Sequence, residues 1–276
     1  MMIHLQSVEL RVPETARRAV FPFDVPSIAS LDGNSLAFPS EVTFLIGENG
    51  SGKSTLLEGL ACAIGSIAVG SEPVEHDPSL REAQALARAM RLRWTERTRR
   101  GFFLRSEDFF GYARRMKQVR EELEADLREV ETDASLSPTA RAYGSLPYAR
   151  EIGDLHRRYG ASLDAHSHGE SFFTLFQSRF VPDGLYLLDE PEAPLSPVRQ
   201  LSLISMLSAM VKERHAQFII ATHSPILMAL PGATLYSFDG GRVHRIAYEE
   251  TEHFRITRDF LNNPSLFLRH LSSDAQ

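Results

Sequence analysis

The chain has 276 residues, 43% of them hydrophobic, with a formal net charge of −6 and an isoelectric point near 5.9. That length is long for one domain and short for two, so a single α/β domain carrying an insertion is expected. Net acidity excludes a surface coated in positive charge for nucleic acid or membrane, and no run of about 18 apolar residues offers a bilayer span.

Met1 to Leu10 already alternates like a strand rather than forming a signal peptide, so a cytoplasmic location is expected. Residues 3–12 have the pattern of an edge strand with one wet face. A Pro-rich stretch to Pro39 follows, with Phe21, Phe23 and Phe38. Phe21 or Phe23 could stack on adenine, although core packing is the commoner use of such rings.

Val42-Thr43-Phe44-Leu45-Ile46 reads as a short buried strand and Ser54 to Ile67 as a helix. Between them stands Gly47-Glu48-Asn49-Gly50-Ser51-Gly52-Lys53-Ser54-Thr55, with the G-x-x-x-x-G-K-[ST] spacing of a phosphate-binding loop. Glycines there let successive N–H groups face phosphate oxygens without a side chain intruding, and the following helix presents its positive end. Lys53 would reach the β- and γ-phosphates and the Ser54 hydroxyl would ligate Mg²⁺. Cys62 lies in the apolar run of this helix and reads as a small buried side chain; as the only cysteine it forms no internal disulfide.

Residues 65–78 read as a loop, 79–90 as a helix, and Gly101-Phe102-Phe103-Leu104 as a second core strand. Arg81 to Arg120 holds twelve Arg or Lys against four acids, the one clearly basic region and a candidate nucleic-acid contact. Met116, Val119, Leu123, Leu127 and Val130 predict a helix over 113–133, too short for a coiled-coil arm. Residues 135–147 are turn-rich, and a helix is expected from Tyr148 to about Leu163. A short amphipathic helix follows over 172–180.

Leu185-Tyr186-Leu187-Leu188 is a buried strand that ends in Asp189-Glu190, two carboxylates at the edge where open α/β sheets bind ligands. Asp189 suits Mg²⁺, held directly or through water, and Glu190 suits the general base that takes a proton from the attacking water. A helix capped by Ser196-Pro197 runs to Arg214. The strand Gln217–Ala221 then delivers Thr222-His223-Ser224-Pro225 to the same edge, where the His223 imidazole can bond the γ-phosphate or the lytic water. A hairpin around Asp239-Gly240-Gly241 and a helical tail over 257–271 close the chain. Upstream, His166-Ser167-His168-Gly169-Glu170-Ser171 offers a second phosphate-binding surface, which serves best for the nucleotide of another subunit because Lys53 and its loop already supply one.

In this order, GENGSGKST, SHGES, LLDEPEAPLS and ATHSP resemble the ATP-binding-cassette ATPases, in the soluble branch with SMC-type and RecF-like proteins, and small predicted ATPases classed as AAA-type. The resemblance implies a P-loop NTPase fold: a mixed sheet flanked by helices in one ABC-type domain over 1–276, with a helical subdomain inserted at 106–183. It also implies an ATP-dependent homodimer. Gly47, Glu48, Asn49, Gly50, Ser51, Gly52, Lys53, Ser54 and Thr55 match its nucleotide loop, and Asp189 and Glu190 its acidic pair. His223 matches its switch histidine, Leu195 its dimer-contacting loop, and Ser167, Gly169 and Glu170 its signature segment. Its Mg²⁺-contacting glutamine has no counterpart in Leu104-Arg105-Ser106-Glu107-Asp108-Phe109, where Glu107 or Asp108 stands in. The function implied is an ATP-hydrolysing enzyme acting on nucleic acid or an unidentified protein partner, in repair, chromosome maintenance or antiphage defence. A transporter's nucleotide-binding subunit is the alternative. A kinase or GTPase reading lacks the Asn-Lys-x-Asp motif, the insertion is too short for a long arm, and no fused nuclease is expected after the hairpin.

Overall fold

A computed structural model describes residues 3–13, 20–68, 81–159, 173, 176 and 179–273, with side chains described at these positions except 106–117, 156–159 and 270–273. The strands are β1 (Leu5–Leu10), β2 (Ser35–Ala37), β3 (Val42–Ile46), β4 (Met90–Trp94), β5 (Phe103–Leu104), β6 (Leu185–Asp189), β7 (Gln217–Ala221), β8 (Thr234–Ser237) and β9 (His244–Ile246). The helices are α1 (Pro26–Ala29), α2 (Lys53–Ile64), α3 (Arg81–Ala89), α4 (Ser106–Thr132), α5 (Pro138–Tyr159), α6 (Pro197–Arg214), α7 (Pro225–Met228), α8 (Glu252–Asn262) and α9 (Pro264–Ser273).

The main sheet has the order β5-β6-β7-β3-β8-β9, parallel except for the antiparallel β9. Its central strands are apolar throughout because both faces are covered. Leu45, Leu187 and Ile219 point to a core shared with Leu56, Leu57 and Leu60 of α2 and with β1. Phe44, Ile46, Tyr186, Leu188, Phe218 and Ile220 point the other way, onto Leu203 and Leu207 of α6 and onto Phe176 and Phe180. The period of two places neighbouring residues in opposite cores. The mixed, helix-flanked α/β fold read from the sequence is the one observed.

Several boundaries differ from the sequence expectation. Residues 3–12 do not form an edge: β1 is the middle of a separate antiparallel sheet, β2-β1-β4, and its inward residues Leu5, Val8 and Leu10 are buried. β4 was not foreseen, since Arg91 and Arg93 break the apolar pattern; both face outward between the half-buried Met90, Leu92 and Trp94. α4 begins at Ser106, well before the expected start, and α5 begins at Pro138 and runs through Pro147. Pro147 and Gly144 make that stretch look like turns, yet Gly144 lets α5 approach α4 closely, with its missing Cβ only 3.1 Å from Val130. The tail is two helices because Asn263 leaves helical angles and Pro264 starts the next. Of the aromatic residues before the loop, Phe38 is buried and Phe23 packs on the core, whereas Phe21 is half exposed. Cys62 is partly buried against the same core.

The small sheet is fastened to the main one by Gln217, which is fully buried at the start of β7. Its Oε1 accepts the N–H groups of His4 (3.0 Å) and Leu5 (2.8 Å), and its Nε2 donates to the Leu5 carbonyl (2.9 Å). The ring of His4, also buried, lies with Nε2 3.0 Å from the His215 carbonyl. A buried donor left without a partner costs about 1–3 kcal/mol. Gln217→Leu strands two such donors and is expected to lower unfolding stability by about 3 kcal/mol, measured by urea denaturation; a loss below about 1 kcal/mol would show that the clasp contributes little.

Candidate functional site

The site is built on the end of β3. Residues 47–52 turn sharply into α2, and two glycines make the turn possible. Gly47 has φ 141°, and a Cβ there would lie 2.8 Å from Asp239 Oδ1; Gly52 has φ 99°, and a Cβ would lie 2.6 Å from Ser27 Oγ. Neither position accepts an L side chain without displacing a neighbour. Those neighbours hold the loop: Asp239 accepts the Glu48 N–H at 2.9 Å, and the Ser27 hydroxyl donates to the Ser51 carbonyl. Glu48, Asn49 and Gly50 form the exposed tip, and Ser54 and Thr55 start α2 half-buried.

Lys53 is buried, and its ammonium donates to the carbonyls of Gly47 (2.7 Å) and Glu48 (2.8 Å). Burial lowers its pKa, while the charges of Glu190, Asp189, Asp239 and Glu192 act in the other direction. Its ammonium is therefore the positive centre of an acidic cluster.

β6 ends at that cluster. Asp189 is buried, and its pKa is pushed up to about 7, chiefly by desolvation and further by Glu190 and Glu58. The Ser54 hydroxyl opposes this by donating to Asp189 Oδ1 at 3.1 Å, a bond between residues 135 apart in the chain. Glu190 has φ 45°, a left-handed conformation costly for a non-glycine residue, and is held there by its N–H bond to the Ala221 carbonyl at 2.9 Å. Its side chain is one-third exposed at the mouth of the site. Arg105, buried just after β5, lies 3.5 Å from Glu58.

β7 brings up His223. Its Nε2 is 3.6 Å from Glu190 Oε1 and has no hydrogen-bond partner among the described residues. Glu192 fixes this loop from beneath, accepting the Thr222 hydroxyl and the His223 N–H on one oxygen, each at 2.7 Å. Burial raises the Glu192 pKa and lowers that of His223. Lys53, Ser54, Asp189, Glu190 and His223, five of the residues named from sequence, thus meet at one sheet edge.

Ser167, Gly169 and Glu170 lie outside the described residues, as do the side chains of Glu107 and Asp108. Leu195 is buried in its own core, so its side chain offers no surface for a partner. Ser27, Glu192, Asp239 and His253 are site residues that sequence reading missed. Glu192 had a signal, a third acid just past Asp189-Glu190; Asp239 looked like an ordinary turn residue, and Ser27 and His253 belong to no motif.

The donor set fits Mg²⁺. Asp189 carboxylate and Ser54 hydroxyl are hard oxygen ligands, and a buried, proton-retaining carboxylate gains from a cation. Among the described residues no group of three or more His, Cys, Asp or Glu could hold an ion alone.

A family model described as an AAA domain matches residues 27–138, and a second, described as "AAA domain, putative AbiEii toxin, Type IV TA system", matches residues 171–229. Similar solved structures include the ATP-binding cassette MJ1267 of an ABC transporter in its ADP conformation (16% identity, 88% of this chain and 90% of that one, TM-score 0.44). Another is an inward-facing putative metal-chelate type ABC transporter (16% identity, 92% and 88%, TM-score 0.47). No curated protein matches.

If Ser54 and Asp189 hold Mg²⁺, Ser54→Ala and Asp189→Asn should weaken ATP binding at least about tenfold when Mg²⁺ is present and less than about threefold in EDTA. Calorimetric titration under both conditions checks this, and equal losses in the two would exclude a metal role.

Proposed function

We propose that this chain, an AAA-type ATPase, binds ATP with Mg²⁺ on residues 47–55, hydrolyses it with Glu190 as general base, and couples turnover to homodimerisation and action on nucleic acid. The observation that carries the reading is the Ser54–Asp189 bond at 3.1 Å, which joins the nucleotide loop to the acidic strand end with Glu190 as the next residue.

Each step follows from the groups at that edge. Backbone N–H groups of residues 47–52 and the start of α2 bind phosphate, and Lys53 moves from its loop carbonyls to phosphate oxygens as ATP enters. Ser54 and Asp189 would hold Mg²⁺, which when bound would supply charge neutralisation on the phosphates. The exposed edge of Glu190 takes a proton from water as that water attacks the γ-phosphorus and the bond from that phosphorus to the β-phosphate oxygen breaks, leaving ADP and inorganic phosphate. His223 Nε2 faces Glu190 and donates to the γ-phosphate or the lytic water, so its free hydrogen-bonding position is filled only when the terminal phosphate is present. On the resemblance of SHGES to the family's signature, Ser167, Gly169 and Glu170 would cap the nucleotide of a second copy.

The surface supports nucleic acid in a restricted form. Arg100 is engaged with Asp183, and Arg105 and Arg120 are buried beside Glu58 and Glu124. Arg81, Arg88, Arg91, Arg93, Arg97 and Arg99 are exposed, with Arg91 and Arg93 on one face of β4. Within the contact read over Arg81–Arg120, these six exposed arginines support the reading, and the side chains of Arg114, Arg115 and Lys117 lie outside the described residues.

Glu190→Gln is expected to keep ATP affinity, reduce turnover at least about 100-fold and accumulate an ATP-bound dimer, detectable by light scattering. Wild-type turnover would remove Glu190 from the mechanism. The double substitution Arg91→Glu, Arg93→Glu should weaken binding uniformly across sequences and lower the log–log salt slope by about 2. Unaltered binding would remove this face from the contact, and a protein retained by Glu190→Gln in ATP would make the partner a protein instead.

A further inference from the structure

The geometry points to His253, at the start of α8, as a positioning residue that donates its Nε2–H to Nδ1 of His223 and so holds the His223 ring with its own Nε2–H aimed at the γ-phosphate position. This deepens the reading of His223 given above and rests on it.

The two rings are in direct contact: His223 Nδ1 and His253 Nε2 are 3.1 Å apart, with ring centroids at 5.2 Å. A hydrogen bond between two imidazoles needs one nitrogen to donate and the other to accept. Burial lowers the pKa of both rings, which favours their neutral forms, and between neutral rings the choice of donor fixes both tautomers. The surroundings make the choice. His223 Nε2 faces Glu190 Oε1 at 3.6 Å, and a carboxylate or phosphate oxygen only accepts. His223 must therefore carry its proton on Nε2, which leaves Nδ1 as the acceptor and His253 Nε2–H as the donor. The opposite arrangement would set a lone pair of Nε2 against carboxylate and phosphate.

His253 is held firmly enough for this role. Thr251 is fully buried and caps α8; its hydroxyl accepts the Phe254 N–H (3.3 Å) and donates to the Tyr248 carbonyl (2.8 Å). The Tyr248 hydroxyl donates to the Pro225 carbonyl at 3.0 Å, two residues beyond His223. The start of α8 and the His223 loop are thus tied together both by main-chain carbonyls and through the rings. With Glu192 on the backbone of His223 and His253 on its ring, both ends of that residue are fixed.

The test uses the whole chain. In wild-type protein without nucleotide, ¹⁵N-histidine spectra should show His223 with a protonated Nε2 and an unprotonated Nδ1. His253→Phe keeps ring volume but removes the donor; it should mix the His223 tautomers and lower kcat about tenfold with KM within about twofold. His253→Gln restores an N–H donor and should recover kcat to within about threefold. A His223 ring protonated on Nδ1 in wild type, unchanged His223 signals in His253→Phe, or changed signals with unchanged kcat would each overturn the proposal. A different failure is separable: if His223→Ala turns over ATP at the wild-type rate, the assignment of His223 to the phosphate is wrong, whatever the ring spectra report about His253.

Discussion

Everything at this edge of the sheet depends on one buried ammonium. Lys53 sits within the field of Asp189, Glu190, Glu192 and Asp239, and without it those carboxylates would be like charges crowded in a region of low dielectric. Its presence does not offset the burial that, with smaller contributions from Glu190 and Glu58, pushes the Asp189 pKa up to about 7. A divalent cation beside Asp189 would favour the ionised carboxylate. Among the described residues the Lys53 ammonium donates to carbonyls of its own loop, bonds it can exchange for another acceptor without breaking a strand or helix. In the proposed reaction a bound divalent cation would supply the positive charge that lets this acidic edge take an anionic nucleotide.

The sheet makes this arrangement reproducible. Register pairs Leu45 with Ala221, Ala221 with Asp189, and Ile46 with Ser237, so β3, β6, β7 and β8 finish at one level. Whatever follows each strand is delivered to the same place: Gly47, Glu190, Thr222 with His223, and Asp239. Apolar cores on both faces keep these ends in step, because slipping any strand by one residue would exchange its two cores. The left-handed angle at Glu190 persists for the same reason, anchored by the backbone bond to Ala221 in the neighbouring strand.

What the sequence made legible was of two kinds. Gly47 to Thr55 is local, each residue acting within one turn, and the apolar runs at 42–46, 185–188 and 217–221 have no other way to be buried. Asp189, Glu190 and His223 followed because each is the next residue after such a run. Illegible were contacts whose meaning lies in a distant partner. Gln217 looked like the polar start of a strand, but it satisfies backbone groups 212 and 213 residues away. Asp239 reads as a hairpin turn until the chain brings it 2.9 Å from Glu48, and His253 sits on a helix whose sequence carries no motif. β4 was hidden because its exposed face carries arginines, and the part of α5 before the expected start at Tyr148 because Pro147 lies inside the helix.

These connections also say where movement can and cannot reside. The sheet bearing Arg91 and Arg93 pairs through β1, and β1 is clasped by Gln217 to the first residue of β7, the strand whose far end presents His223. Backbone ladders and a buried amide that makes three hydrogen bonds join these parts, so separating the small sheet from β7 would expose unsatisfied donors. The groups that can exchange partners lie beyond the strand ends: Lys53 on its loop carbonyls, the buried His223 Nε2, which has no hydrogen-bond partner among the described residues, and the His253 ring on α8. α8 packs against α9 and carries the exposed Ile256, Phe260 and Leu261, while His253 at its start touches the His223 ring.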